Sequence, residues 1–241
     1  MNDIYLSVVI PAFNESARIG KTLKLMIGYL EKQNYTYEIV IVDDGSTDNM
    51  LEIIEKNKNS KCKIIVHKKN GGKGKAVNTG VKNSIGKYIL FADADNSTPF
   101  EEVEKLLKFA NDADVVIGSR YLKDSNVKVK QPISRIIMAR MGNMLIQLLI
   151  LPGFPDTQCG FKLFTSLAAD KIFPRQTIWR WGFDMELLRI AKEQKCKIKQ
   201  VPVQWINDDD SRVNSKSMFF KTLNELFRIK INSLKGVYRR E

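Results

Sequence analysis

Four times within the first 120 residues an apolar run of strand length ends in a polar or acidic cluster and gives way to residues with helical spacing, and a fifth such run ends in a polar cluster. No other feature of the chain restricts its fold as strongly. Leu6 to Ile10 leads into Pro11-Ala12-Phe13-Asn14-Glu15 and a helix with Ile19, Leu23, Met26, Ile27 and Leu30 on one side. Glu38 to Val42 leads into Asp43-Asp44-Gly45-Ser46-Thr47-Asp48 and a helix carrying Leu51 and Ile54. Lys63 to His67 precedes Asn70-Gly71-Gly72-Lys73-Gly74-Lys75 and a helix with Ala76, Val77 and Val81. Tyr88 to Ala92 ends in Asp93-Ala94-Asp95, before a helix predicted over about Pro99 to Asn111 with Thr98 as its cap. Val115 to Ile117 closes at Gly118-Ser119-Arg120. Alternation at this length predicts an α/β fold with a mostly parallel sheet and helices on both faces. Ligands of such sheets collect at the carboxyl edge of the strands, where every one of these polar clusters falls.

Asp93-Ala94-Asp95 is the most informative cluster. Two carboxylates one residue apart repel each other, and a hard divalent cation such as Mg²⁺ or Mn²⁺, bridging to substrate phosphate, relieves that repulsion. Asp and Asn also favour turns, so the same residues read alone as a simple strand exit. The glycine-rich stretch Asn70 to Lys75 offers backbone amides and Lys73 or Lys75 to a phosphate, although it has neither the P-loop spacing nor G-x-G-x-x-G. It reads equally as a turn. Asp43-Asp44-Gly45-Ser46 suits hydrogen bonding to a base or ribose, or capping of the helix after it. His67, the one histidine, ends a strand and is read as structural, without a catalytic role.

Beyond residue 120 the pattern loosens. Pro132 to Leu151 is a helix candidate with Ile136, Ile137, Met141, Met144, Leu145 and Leu148 at helical spacing. Pro155 to Lys162 is a second polar corner before a short strand, and Trp179 to Leu188 starts a helix with Asp184 and Glu186 in or near its first turn. A strand over Ile198 to Trp205 precedes the polar loop Asp208 to Lys216, and a last helix over about Ser217 to Tyr238 puts Phe220, Leu223, Phe227, Ile231, Leu234 and Tyr238 on one stripe. Net charge is +12, and its distribution is uneven. Residues 1–120 hold 17 of the 39 Lys+Arg and 16 of the 27 Asp+Glu, leaving 22 against 11 in the second half. That half therefore suits an anionic partner: a phosphorylated substrate, an anionic membrane surface or nucleic acid. Three scattered cysteines, Cys62, Cys159 and Cys196, fit a reducing cytosol. No export signal is expected, and Ile136 to Leu151, broken by Arg140, Asn143 and Gln147, is too short to span a bilayer.

Taken together, Val8-Val9-Ile10-Pro11-Ala12-Phe13-Asn14-Glu15, Ile41-Val42-Asp43-Asp44-Gly45-Ser46 and Asp93-Ala94-Asp95 resemble the family 2 glycosyltransferases of the GT-A, Rossmann-like fold. Asp156-Thr157-Gln158-Cys159-Gly160-Phe161-Lys162 and Arg180 to Leu188, with Ser215-Lys216, narrow the likeness to the dolichyl-phosphate β-glucosyltransferases and related polyprenyl-phosphate sugar transferases. The resemblance covers nearly the whole chain. It implies a nucleotide-sugar site of Pro11, Phe13, Glu15, Asp43, Asp44, Lys73 and Asp93, and a metal held by Asp93 and Asp95. It also implies catalytic parts for Asp95, Asp156 and Arg120, and an acceptor site drawing on Arg180, Asp184, Arg212, Ser215 and Lys216. The implied activity is inverting transfer of a hexose, glucose from UDP-glucose, to a polyprenyl or dolichyl phosphate. Residues 1–210 would form the catalytic domain, with a donor half over 1–120 and an acceptor half over 121–210. Residues 211–241 would add an acceptor-side loop and an amphipathic helix, peripheral on the cytoplasmic face of a membrane. Two departures stand out. Mannosyl relatives often have Gln where this chain has Ser97, and the glucosyl relatives commonly carry an N-terminal membrane anchor that is not read in this sequence. A GDP-mannose donor or a non-polyprenyl acceptor is the alternative within the family. Nucleic-acid binding is disfavoured, since no aromatic residues interleave with Lys/Arg as base-stacking modules require.

Overall fold

The computed structural model describes residues 4–127, 133–206 and 215–239. In order they form β1 (Leu6–Ala12), α1 (Ser16–Leu30), β2 (Tyr37–Asp43), α2 (Met50–Asn57), β3 (Cys62–Val66), α3 (Lys73–Lys82) and β4 (Tyr88–Ala92). After a short 3-10 turn come α4 (Val103–Leu107), β5 (Val115–Ser119), β6 (Asn126–Val127), α5 (Ile133–Leu149), β7 (Phe161–Thr165) and α6 (Ser166–Ile172). The chain closes with α7 (Phe183–Glu193), β8 (Ile198–Pro202), β9 (Gln204–Trp205) and α8 (Ser215–Leu234).

Seven strands make one sheet in the order β3-β2-β1-β4-β7-β5-β8, and β6 pairs with β9 in a separate two-stranded ribbon. The β1, β2, β3 and β4 contacts are parallel, as is β5 with β8. The expected mostly parallel sheet is therefore present, with one strand reversed: β7 lies antiparallel between β4 and β5. Its register sets Ala92 opposite Phe161 and Ile117 opposite Lys162. The loop that enters β7 consequently arrives at the same edge from which the chain leaves β4 and β5.

Continuous apolar runs mark strands covered on both faces, and alternation within each run decides which core a side chain joins. Leu6, Val8 and Ile10 point to the layer that holds Ile19, Leu23, Met26 and Leu30 of α1. Val9, Val40, Val42 and Phe91 point to the opposite layer, with Ala76 and Val77 of α3 and Phe183, Leu187 and Ile190 of α7.

Three boundaries differ from the sequence reading. The helix placed over Pro99 to Asn111 begins as a 3-10 turn at Phe100, with Pro99 and not Thr98 in the cap position (φ −52°, ψ 134°) and no side-chain cap. Glu102, in that turn, accepts instead from the amide of Gln204, 3.1 Å away. The strand read from Ile198 to Trp205 divides at Val203, whose amide returns to the carbonyl of Ser119. Helix α8 stops at Leu234, and Tyr238 lies in the turn after it with its ring fully buried, so it leaves the stripe assigned to it.

Candidate active site

The end of β4, the loop before β7 and the start of α3 meet at Asp93. Its backbone amide donates to the carbonyl of Gly160 at 3.2 Å. A Cβ at position 160 would overlap the Asp93 carboxylate, so the loop meets that side chain with bare backbone. On its other side Lys73, the first residue of α3, brings its ammonium to 2.6 Å from Asp93 Oδ1. That oxygen is buried and accepts no well-aligned hydrogen bond, so the contact is chiefly an ion pair. Burial works against the Lys73 ammonium, but Asp93, Asp184 and Asp95 outweigh it and raise its pKa. Asp95 is turned by a bond from the Ser97 amide, 2.9 Å. Burial, with the Asp93 charge second, raises the Asp95 carboxyl above the usual range.

Two crowded acids, one with an oxygen lacking an aligned donor, suit a divalent cation. Among the described residues no three His, Cys, Asp or Glu side chains gather as a metal cage. A cation here would complete its oxygen shell from phosphate and water, which fits the way Mg²⁺ is usually bound. Asn96 follows in the left-handed region (φ 53°), and its buried Oδ1, like Thr157 Oγ1, has no hydrogen-bond partner.

Arg120 and Asp156 meet across the reversed strand. Asp156 Oδ2 accepts from the Arg120 amide and from Nε, and Oδ1 from Nη2, each at 2.8 Å. Burial by itself would raise the Asp156 carboxyl, but the guanidinium holds it below the usual carboxylate range. Tyr121 and Trp205 border the guanidinium, with ring centroids 5.8 and 5.5 Å away. A carboxylate in this grip is a fixed negative charge that orients Arg120; it is poorly placed to take a proton.

Asp43 and Asp44 are both buried. Asp43 Oδ1 accepts from the Ser46 amide at 2.8 Å. Asp44 takes the amides of Gly71 (3.0 Å) and Gly72 (2.7 Å) and touches His67. The amides of Gly74 and Lys75 go to the carbonyls of Trp179 and Gly72. These four amides were candidates for cradling a phosphate; the fold commits them internally, and the loop's offering is Lys73. Gly72 sits at φ 99° with the Trp179 carbonyl where a Cβ would be, so glycine is required there. Phe13 is half exposed at the rim, Pro11 lies within β1, and Glu15 forms a bidentate pair with Arg18 (2.7 and 2.8 Å).

Of the residues expected to receive an acceptor, Arg180 is exposed beside Gly72, between the partly exposed Trp179 and Trp181. Asp184 is only 5% exposed and pairs with the fully buried Lys162, which also donates to the carbonyl of Cys159 at 2.6 Å. Its carboxylate therefore supports the floor of the site through Lys162. Arg212 lies outside the described residues, and of Ser215 and Lys216 only their place in the first turn of α8 is described. Gly160 and Lys162 carry parts that the sequence reading did not assign, while His67, read as structural, lies between Asp44 and Thr79. For Lys162 the signal was present: a lysine inside the apolar run Phe161 to Phe164 needs a buried anion.

Comparison with known proteins finds a family and a shared fold. The sequence profile of Glycosyl transferase family 2 matches residues 7–173. The dolichyl-phosphate beta-glucosyltransferase of Dictyostelium discoideum is 36% identical over 254 residues, covering 99% of this chain and 78% of that protein. The human protein of that name is 35% identical over 252 residues, 98% of this chain and 78% of its own length. Among solved structures, mannosyl-3-phosphoglycerate synthase from Rubrobacter xylanophilus superposes with a TM-score of 0.72 at 14% identity, over 99% of this chain and 76% of its own. Glucosyl-3-phosphoglycerate synthase from Mycobacterium tuberculosis, crystallised with Mn²⁺, UDP-glucose and phosphoglyceric acid, gives 0.70 at 17% identity, over 94% and 80%. The two structures share the fold, and the profile together with the relatives at 35% identity or more settles the family: this chain belongs to glycosyl transferase family 2 and is a hexosyltransferase of the GT-A fold.

Proposed function

We propose that the chain transfers glucose from UDP-glucose to dolichyl phosphate, or to a polyprenyl phosphate with the same headgroup, with inversion at the anomeric carbon. The observation that carries this reading is the set formed by Asp93, Asp95 and Lys73 beside the Arg120–Asp156 clamp, in a chain similar over its whole length to dolichyl-phosphate beta-glucosyltransferases. A phosphate oxygen of the acceptor attacks C1 while the bond from C1 to the diphosphate oxygen breaks, and UDP leaves with the electron pair. The acceptor is ionised near neutral pH, so no base has to remove a proton. The harder task is the charge growing on the diphosphate. Asp93 and Asp95 would hold Mg²⁺ or Mn²⁺, which as a Lewis acid stabilises that charge. Lys73 adds its ammonium at the same place, and fixed charges of this kind dominate such transfers. Pro11, Phe13, Glu15 and Asp43 border the nucleoside in the donor half, 1–120. Arg180, with Arg212, Ser215 and Lys216, receives the lipid phosphate.

The test offers UDP-glucose and GDP-mannose separately, with short-chain dolichyl phosphate and Mn²⁺, and identifies the lipid product by mass spectrometry. A glucosyl lipid from the uridine donor alone is expected, stopped by chelator. Asp95→Asn should lower the rate about a thousandfold, since a metal supplies several kcal/mol and 1.36 kcal/mol is tenfold. A mannosyl lipid, or full turnover in chelator, would overturn the reading.

A lipid acceptor requires the mouth of the site to reach a membrane, and no helix among the described residues is long and apolar enough to cross one. Helices α5 and α8 pack against each other and expose apolar stripes, Met141, Met144 and Leu148 on the first, and Phe227, Ile231 and Leu234 on the second. Glu225 of α8 accepts from the Gly182 amide at 2.6 Å, which ties that helix to the Trp179–Trp181 rim. Exposed Arg228, Lys235 and Arg239 accompany the second stripe, as an interfacial helix on an anionic surface requires. Flotation with vesicles containing anionic lipid is expected to carry the protein, less so in salt. Each apolar side chain withdrawn from water contributes about 2 kcal/mol, so changing Phe227 and Ile231 to Ser should abolish flotation. Recovery in the soluble fraction whatever the lipid would count against the surface.

A further inference from the structure

The loop that carries Lys73 is held by a hydrogen-bonded relay. Thr79 Oγ1 lies 3.0 Å from His67 Nε2, and His67 Nδ1 lies 2.7 Å from Asp44 Oδ1. Asp44 then receives the Gly71 amide on Oδ1 and the Gly72 amide on Oδ2. Gly72 is the cap residue of α3, and the next residue is Lys73. The backbone amide of His67 is also fixed, on the Asp43 carbonyl at 2.8 Å. Three donors therefore converge on one buried carboxylate whose side chain is 3% exposed, and the imidazole that braces it is 14% exposed. An acid so occupied has little left to offer a nucleoside.

We infer that His67 and Asp44 are positioning residues for the donor diphosphate: together they fix the Gly71–Gly72 turn and, through it, the placement of Lys73 opposite Asp93. This rests on the reading of Lys73 as a diphosphate contact. The turn needs such a brace because both its residues are glycines, which lose the most conformational freedom on ordering. The imidazole suits the task in either charge state. Nδ1–H donates to Asp44 whether or not Nε2 is protonated, and Thr79 Oγ1 can serve Nε2 as donor or as acceptor. An apolar residue at 67 would leave Asp44 with two amides and a missing donor, and the turn free to shift. A displacement of about 1 Å near the reacting groups can cost on the order of a hundredfold.

The experiment measures UDP binding by calorimetry, with Mn²⁺ present, and the kinetics of transfer for His67→Leu, His67→Asn and Thr79→Val, at a temperature where each is folded by circular dichroism. For His67→Leu the Kd for UDP and the KM for UDP-glucose should both rise about tenfold or more, kcat should fall, and the KM for dolichyl phosphate should stay unchanged. His67→Asn keeps a donor near the Nδ1 position and should recover most of the donor affinity. A residue that only stabilised the fold would lower the melting temperature and move neither donor constant, and that result would overturn the inference. If His67→Leu does not fold, Thr79→Val, which loosens the ring without removing it, is expected to raise the donor KM about threefold, and an unchanged value there would overturn the inference as well. Wild-type protein that bound no UDP would instead remove the underlying reading.

Discussion

Gly160→Ala is expected to lower transfer about a hundredfold while leaving the fold nearly as stable as before. Position 160 performs no chemistry. It is the point where the loop entering β7 crosses the Asp93 carboxylate, and a methyl group there would occupy the space of all three carboxylate atoms. The backbone cannot retreat easily, because Asp93 donates its amide to the Gly160 carbonyl and the next residue, Phe161, is registered against Ala92 inside the sheet. Asp93 is the freer partner, with a side chain 30% exposed, so the carboxylate would swing away. Its pairing with Lys73 and its proposed share in holding a cation would go together, and misplacement of that order costs about two powers of ten in rate. Stability would change by about 1 kcal/mol, as an exposed side chain can find another rotamer. Steady-state transfer, Mn²⁺ binding and thermal unfolding measured on one preparation decide the matter. Transfer within a few-fold of wild type would show that the loop accommodates the methyl group and that the Asp93 position is not critical.

The dependence of Asp93 on Gly160 could not be read from the sequence, and the reason is physical. A five-residue apolar run such as Phe161 to Thr165 specifies burial on both faces and nothing about direction or neighbours. Only the finished sheet shows that β7 runs backwards between β4 and β5, and only then do Gly160, Asp156 and Arg120 meet. The first four strands and the first three helices were legible because each βα unit carries its own pattern: Ile19, Leu23, Met26 and Leu30 are all buried where the spacing put them. The acids at the strand ends were legible as a group, since the carboxyl edge follows from the parallel connection. Their individual commitments were not. Whether Asp44 faces a ligand or two glycine amides depends on a loop 27 residues further along, and whether Asp184 faces the cleft depends on Lys162 in another strand. Local sequence carries no trace of either pairing.

Glu186→Ala is expected to lower stability by about 4 kcal/mol, the largest structural effect foreseen for a single side chain outside the sheet. Glu186 was read as a first-turn acid of α7 that answers the helix dipole, yet it is fully buried, and among the described residues no basic side chain pairs with it. Its charge is met by hydrogen bonds instead. Oε2 accepts the amides of Thr177 (3.0 Å) and Ile178 (2.8 Å), and Oε1 accepts the hydroxyls of Thr177 (2.6 Å) and Tyr238 (2.8 Å). One carboxylate thus joins the loop before α7 to the turn after α8, which is why Tyr238 is buried although it lies near the end of the chain. Truncation to Ala takes the acceptor from two amides and two hydroxyls, of which the Ile178 amide and the Tyr238 hydroxyl are buried and cost about 1–3 kcal/mol each, and adds a cavity. For a chain of this length the loss corresponds to a fall of about 10 °C in melting temperature. Tyr238→Phe removes one of the four bonds and should cost about 1 kcal/mol. Function should follow the loop as well as the fold. The Trp179 carbonyl in that loop holds the Gly74 amide at 2.8 Å, so UDP binding should weaken in Glu186→Ala even well below its melting point. Thermal unfolding by circular dichroism and UDP calorimetry at 15 °C check the two parts separately. A melting temperature within 2 °C of wild type would mean that water enters and satisfies the abandoned donors, and that the carboxylate is not what fastens the C-terminal turn to the body of the protein.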